Sequence, residues 1–423
     1  MKVNKYTYFY SYKGAYYIYH LLNDSLLNID QELSNALQKN QLVNIPSKVL
    51  QTLKGKDFVV DDIFDENAII NYANLLNRYK SETLRVTILP TLACNFKCWY
   101  CYEEHHSSSL SLEGMNAIIT FIKKEAQEKD IKHIHLDWFG GEPLLCFNKI
   151  IKPLSSSIKN WTAENEITFN NSITTNGSLI TSGMAEIMEQ IDMRQFQITL
   201  DGGKEYHNKT KFSESISNSF DRIIENIHII CKTIENPCVT VRINYTADNI
   251  HSISSILDCF DADVRNYILF NPHIVWQEIG KIKDYSIFLN KFYEKSLKMG
   301  YGCEIGSEQL RRKCVTCYTE NMEQFVVNYD LQVYKCTARN FDGKLSIGKI
   351  ENDGTFVPNN YYMHFYATPS PVFDTKCQSC RFLPACMNEL SCMQKRIEGI
   401  KQNCDPQVVE NRIMSHLSKM INK

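Results

Sequence analysis

The chain has 423 residues, 43% of them hydrophobic and 22% charged, which is the composition of a globular protein with a sizeable core and excludes general disorder. Its formal net charge of −2 excludes a global basic field that would draw it to nucleic acid or an anionic membrane. No apolar run reaches the roughly 18 residues of a membrane span. The start, MKVNKYTYFYSYKGAYYIYH, has no cleavage-site pattern, so the expected location is cytoplasmic.

Residues 1–83 hold no cysteine. Residues 6–12 and 15–20 read as tyrosine-rich strands. Leu27, Leu33 and Leu37 recur at helical spacing, with Asp30 as a cap. PSKVLQTLKGKDFVVDD reads as a short helix, a stop at Gly55 and a strand, and residues 66–82 as a polar helix. The expectation is a small winged-helix-like module over 1–83, able to recognise a peptide by adding a strand to a sheet edge.

From Leu84 strands and helices alternate. Strands are expected at LRVTILPT, KHIHLDWF, EITFNNSITTNG, RQFQITLDGG, CVTVRINYTADN and residues 267–276. Helices are expected at SLEGMNAIITFIKKEAQEK and at residues 182–190, 220–234, 250–259 and 284–299. Repeated βα units build a parallel sheet covered by helices, here a partial (β/α)6 barrel over 84–300, with chemistry at the carboxyl ends of its strands. After Gly300 cysteines become dense: eight of the 16 lie between Cys314 and Cys404. The expected division is therefore 1–83, 84–300 and 301–423.

In a reducing cytosol clustered cysteines are metal or cofactor ligands more often than disulfides. Cys94, Cys98 and Cys101 form C-x3-C-x2-C directly after a predicted strand, and Gly140-Gly141-Glu142-Pro143 follows the next one. Half of a zinc site is one assignment. The other is a [4Fe–4S] cube with three thiolates, which leaves one iron open for a substrate or cofactor.

C-x3-C-x2-C with Tyr100 before its last cysteine resembles the signature of the radical SAM superfamily. That resemblance implies S-adenosylmethionine on the open iron, reductive cleavage to a 5′-deoxyadenosyl radical, and hydrogen abstraction from an unreactive C–H bond. It implies Cys94, Cys98 and Cys101 as cluster ligands. Tyr100, Gly140, Gly141, Glu142 and Asn176 become cofactor-binding residues, with Glu142 accepting from the methionine amino group. TTNG (174–177), TLDG (199–202) with His207, and VRIN (241–244) resemble the family's later strand ends. Where the family has an arginine after TLDG, this chain has Lys209 and Lys211.

The carboxyl-terminal cysteines admit a zinc ribbon of Cys314, Cys317, Cys377 and Cys380. Their full layout resembles the SPASM domain, with its two auxiliary [4Fe–4S] clusters. Mapped by order, Cys314, Cys317, Cys336 and Cys392 would hold one and Cys377, Cys380, Cys386 and Cys404 the other, making three clusters in all. The chain departs from the family at Leu331, where glycine is usual, and in the x5 gap before Cys392, which leaves Cys303 as an alternative ligand. Cys146, Cys231, Cys238 and Cys259 read as packing residues.

The resemblance implies an enzyme that modifies a peptide or protein, a maturase of a ribosomally made peptide, supplied with electrons by a donor such as flavodoxin or ferredoxin. A sulfatase-maturing, formylglycine-generating enzyme is the alternative; Thr337 stands where that branch carries an acid. A metal-stabilised peptide-binding protein without catalysis is the alternative from another class. The sequence identifies no catalytic base.

Overall fold

The structure is a computed structural model and describes residues 1–213, 216–279, 285–303, 317–338, 340–386, 392–400 and 404–422. It divides into two compact units. One comprises Met1–Ser81, Ser307–Met322 and His364–Lys423; the other comprises Glu82–Gly306 and Glu323–Met363.

The second unit is built on one large sheet. Six parallel strands run in chain order, each beside the last: Thr83–Leu89, His133–Trp138, Thr168–Thr175, Met193–Leu200, Cys238–Tyr245 and Ile268–Ile274. This is the partial barrel expected from the alternation of elements. Gly302–Cys303 adds in parallel at one edge. At the other edge Gln324–Asn328 pairs in parallel with the first barrel strand, and three short antiparallel strands continue from it, Gln332–Tyr334, Gly348–Ile350 and Phe356–Pro358. Residues 323–363 thus extend the barrel sheet.

One set of alternate residues on the strands faces the helices and is fully buried: Leu84, Val86 and Ile88 on the first, Val239, Val241 and Ile243 on the fifth. Each such side chain contributes about 1.5–3 kcal/mol by leaving water. The opposite set is polar, including Arg85, Asp137, Thr199, Arg242 and Asn244, and the last three line the site. Helix Leu112–Glu128 starts at Ser111, whose hydroxyl accepts from the Gly114 N–H, and buries Ile118, Phe121 and Ile122.

Three elements depart from expectation. The sequence reading assigns no helix between GGEP and the third strand, yet Lys152–Glu164 is helical. KPLSSSIKNWTAE has poor intrinsic propensity, and its buried Leu154 and Ile158 supply the reason for the helix. Residues 250–259 form 3-10 turns in place of an α-helix; the Ile- and Ser-rich run favours neither form strongly. Leu27 lies in strand Leu26–Ile29, and only Leu33 and Leu37 belong to helix Gln31–Gln38, which Asp30 caps through the Leu33 N–H at 2.7 Å.

In the first unit Thr7–Tyr12, Ala15–His20 and Leu26–Ile29 form a three-stranded antiparallel sheet, and Lys2–Val3 pairs with Val59–Val60. Helices Gln31–Gln38, Ser47–Gly55 and Glu66–Tyr79 follow the expected positions. The same unit contains the carboxyl-terminal helix Pro406–Ile421. Its Val409, Ile413 and Leu417 share a core with Tyr6, Tyr8, Tyr19 and Phe382. Among the described residues no helix is long and apolar enough to cross a membrane.

Candidate active site at the strand ends

A cavity of about 200 Å3 opens at the carboxyl ends of the barrel strands. Each strand contributes to it. Cys94, Cys98 and Cys101 come from the loop after the first, Gly140 and Gly141 from the second, and Asn176 from the third. Thr199, Asn244 and Ile274 end the remaining three. The structure therefore gathers the first cysteine cluster, the glycine pair, Tyr100 and Asn176 into one place.

The cysteine loop is tied down by neighbouring backbone. Thr91 Oγ1 donates to the Ser108 carbonyl at 2.7 Å, and the Leu92 N–H donates to Ser108 Oγ at 2.8 Å. The Gly141 and Glu142 N–H groups donate to the carbonyls of Thr91 and Ala93. A Cβ on Gly140 would lie 2.5 Å from the Thr91 carbonyl oxygen, and one on Gly141 would lie 2.3 Å from that of Ala93. Glycine is required at both positions because two backbones touch there, and Gly140 also has φ +107°.

Burial pushes the Cys94 thiol up to about 12 and raises Cys98 and Cys101 in the same direction. Buried thiols in this state become ligands only when a metal's positive charge holds the thiolate form. Among the described residues no three His, Cys, Asp or Glu side chains are grouped to hold a single metal ion. The three thiols line the cavity. A zinc ion draws its ligands to about 2.0–2.3 Å from a single centre, whereas a four-iron cube takes one thiolate at each corner.

Glu142 is fully buried and does not line the cavity. Its carboxylate accepts from Thr175 Oγ1 at 2.7 Å, the Asn176 N–H at 2.8 Å and the Leu144 N–H at 3.0 Å. Both oxygens are engaged with the protein, so Glu142 clamps the second strand end to the third. Asn176 lines the cavity, and its Nδ2 donates to Asn95 Oδ1 at 2.8 Å.

Tyr100 donates to both carboxylate oxygens of Asp201 at 2.8 Å, and Asn244 Nδ2 donates to the same carboxylate at 3.3 Å. Asp201 is buried and its carboxyl is raised by that burial; the Asp201 N–H donates to Nδ1 of buried His207 at 3.2 Å. Lys211, also buried, lies with its ammonium 6.0 Å from the centre of the Phe96 ring. It lines the cavity.

Sequence reasoning placed Asp201 in TLDG and Arg242 in VRIN without giving them roles, and did not single out Tyr102, Glu103 or Trp276. Asp201 and Asn244 carry the signal that could have found them: a polar residue at the inward position where a barrel strand ends. Tyr102 stacks on Trp276 with ring centres 5.2 Å apart and donates to the Thr337 carbonyl at 3.0 Å. Burial raises the Glu103 carboxyl to about 7.

Residues 88–259 match the Radical SAM superfamily. The chain carries a radical SAM domain. It is an enzyme, and not merely a metal-stabilised binding protein. It is similar to a cysteine-type anaerobic sulfatase-maturating enzyme of Clostridium novyi (strain NT), 24% identical over 81% of this chain and 96% of that protein. Its fold is similar to that of anSMEcpe with bound AdoMet and the Cp18Cys peptide, at 19% identity and a TM-score of 0.61 over 80% of this chain and 98% of that one. It is also similar to Streptococcus suis SuiB bound to the precursor peptide SuiA, at 14% identity and a TM-score of 0.50 over 91% and 94%.

S-adenosylmethionine and a [4Fe–4S] cluster are the cofactors of radical SAM chemistry, and the donors present fit them. Three thiols line one cavity, a glycine pair forms part of its wall, and Lys211 offers positive charge to a carboxylate.

Of the carboxyl-terminal cysteines, Cys314 lies outside the described residues. Cys336 belongs to the barrel unit; Cys317, Cys377, Cys380, Cys386, Cys392 and Cys404 belong to the other. Cys377 is pushed up to about 11 by burial first, and then by Asp374, Cys386, Cys404 and Cys380. The four thiols assigned to one auxiliary cluster therefore share a neighbourhood. Cys303 lies in the edge strand Gly302–Cys303. Cys146 and Cys231 are buried as packing residues; Cys259 is half-buried, and Cys238 is exposed at the start of its strand, against expectation.

Proposed function

We propose that the protein is a radical SAM maturase of a ribosomally synthesised peptide. The observation that carries this reading is the meeting of three half-buried thiols with the Gly140–Gly141 wall at the strand ends of one barrel. Cys94, Cys98 and Cys101 hold the cluster. Gly140 and Gly141 would let the cofactor approach backbone closely, Lys211 would offer charge to its carboxylate, and Asn176 and Tyr100 form part of the cavity wall. When bound, cluster and cofactor supply hydrogen-atom abstraction from an unactivated C–H bond. The protein's part is to seat the reacting groups, exclude water and keep Tyr100 and Asp201 locked against each other.

Cys314, Cys317, Cys336 and Cys392 would hold one auxiliary cluster and Cys377, Cys380, Cys386 and Cys404 another, which would supply an acceptor for the electron left after abstraction. A low-potential donor such as flavodoxin or ferredoxin supplies the first one. A peptide substrate is supported by the peptides bound to anSMEcpe and to SuiB. The three-stranded sheet of the first unit leaves strands Thr7–Tyr12 and Leu26–Ile29 at its edges, where a leader segment can pair as an added strand.

The experiment is iron content and reductive cofactor cleavage after anaerobic reconstitution, for the wild type and for the variant with Cys94, Cys98 and Cys101 all changed to alanine. About twelve irons per chain falling to about eight, with cleavage abolished, is expected. About four irons with no loss in the variant would sink the assignment. The Clostridium novyi relative favours a second reading, sulfatase maturation. It requires a cysteine or serine peptide to yield an aldehyde that a hydrazide captures; a crosslinked or thioether product excludes it.

A further inference from the structure

Arg242 is a cation that the cofactor reading leaves unused. It sits on the fifth barrel strand, level with Thr199 and Asn271 on the neighbouring strands, and lines the cavity. Its Nε donates to Asn244 Oδ1 at 3.1 Å, which orients the guanidinium. Among the described residues its two Nη groups make no hydrogen bond and no ion pair. Arg85 on the first strand shows the contrast, since its Nη1 meets Asp137 Oδ2 at 3.0 Å.

The acids near Arg242 are engaged elsewhere or unpaired with it. Asp201 is held by Tyr100 and Asn244. Glu103 lines the same cavity but forms no ion pair with it. Burial lowers the arginine from its ordinary value, the mark of a desolvated cation with incomplete compensation. A planar fork with both outer nitrogens free is the donor set that receives a carboxylate side-on. Beside it Trp276, about half exposed, stacks on Tyr102 and offers an aromatic shelf.

We propose that Arg242 reads a carboxylate of the peptide substrate at the mouth of the barrel, a role that rests on the peptide-maturase reading. The cofactor's methionine carboxylate has the same chemistry, but the cation beside the thiols is Lys211. Lys211 sits over the Phe96 ring inside the cysteine loop, whereas Arg242 is held on the fifth barrel strand by Asn244. The arginine thus makes the cavity selective for peptides carrying an acidic group near the residue attacked.

The test uses the full reconstituted chain and saturation-transfer NMR with two probes, acetyl-Gly-Glu-Gly-amide and acetyl-Gly-Gln-Gly-amide. Cofactor binding is followed by equilibrium dialysis in the same samples. The wild type is expected to bind the glutamate probe at least about tenfold more tightly than the glutamine probe. Arg242→Gln should bind the two equally, and Arg242→Lys should keep part of the preference because the charge remains without the fork. Cofactor affinity should stay within about twofold in both variants, which also shows that the site is folded. Equal binding of the two probes by the wild type overturns the proposal. Loss of cofactor binding in Arg242→Gln overturns it in favour of the methionine carboxylate. Failure of the wild type to bind cofactor would instead refute the radical reading, and it is measured separately.

Discussion

The two cysteine regions are built on different principles. The barrel loop borrows its order from elsewhere: Asn95 donates to Ser178, Thr91 and Leu92 bond to Ser108, and the Glu142 N–H reaches the Ala93 carbonyl. Its cysteines are positioned by strand ends that the core already fixes. The carboxyl-terminal run is made of single turns. Cys377 lies in helix Thr375–Ser379 and Cys380 caps it; Cys386 caps the 3-10 turn Leu383–Ala385; Cys392 precedes helix Met393–Ile397. Their backbone bonds are mostly local, such as Cys380 N–H to the Cys377 carbonyl and Cys386 N–H to that of Phe382. Helices this short are not stable by themselves. A pre-built site tolerates loss of its metal; a region of single turns, anchored at Gln378 and at the core residues Phe382, Leu383 and Ala385, depends more on a common ligand for its order.

The largest effect that would break this contrast is expected on iron removal. Chelation, or Cys377→Ala, should raise the rate of proteolytic cleavage within residues 375–404 by more than about tenfold, while segments of the barrel stay protected. Equal cleavage in both regions would mean that the carboxyl-terminal turns hold without metal.

Glu142→Gln sharpens the barrel side. It turns an amide toward donors that now meet a carboxylate, and should cost about 2–4 kcal/mol in urea unfolding. A group that only touched cofactor would lower cofactor affinity and leave stability unchanged.

The smallest effect is a pH dependence. Burial, with Lys211 nearby, holds His207 well below its ordinary value, so it is neutral when folded. The unfolded chain takes up that proton below about pH 6.5. Stability present above that pH is therefore lost as pH falls, by at most about 1.4 kcal/mol per pH unit from this group. In His207→Asn the loss between pH 6.5 and 5 should be smaller by that amount, read from urea midpoints.

Much of the frame was legible because alternation and cysteine spacing are local properties. The six barrel strands, the first cysteine cluster and the glycine pair are each written in a few consecutive residues. What resisted reading depends on distant partners. Helix Lys152–Glu164 exists because Leu154 and Ile158 meet the core, against its own serines. Leu331 adopts φ +67°, the conformation for which the family uses glycine, at a cost of roughly 1–2 kcal/mol. Burial of its side chain against Gly114 offsets that cost.

The sequence by itself determined that three cysteines, a glycine pair and repeated βα units belong to one barrel site, since spacing sets which loop carries them. Only the tertiary structure decided what the polar residues do there. It turned Glu142 inward as a clamp, joined Tyr100 to Asp201, and left the fork of Arg242 open. A side chain's role depends on which groups compete for it once water is excluded, and those competitors come from strands far apart in the chain.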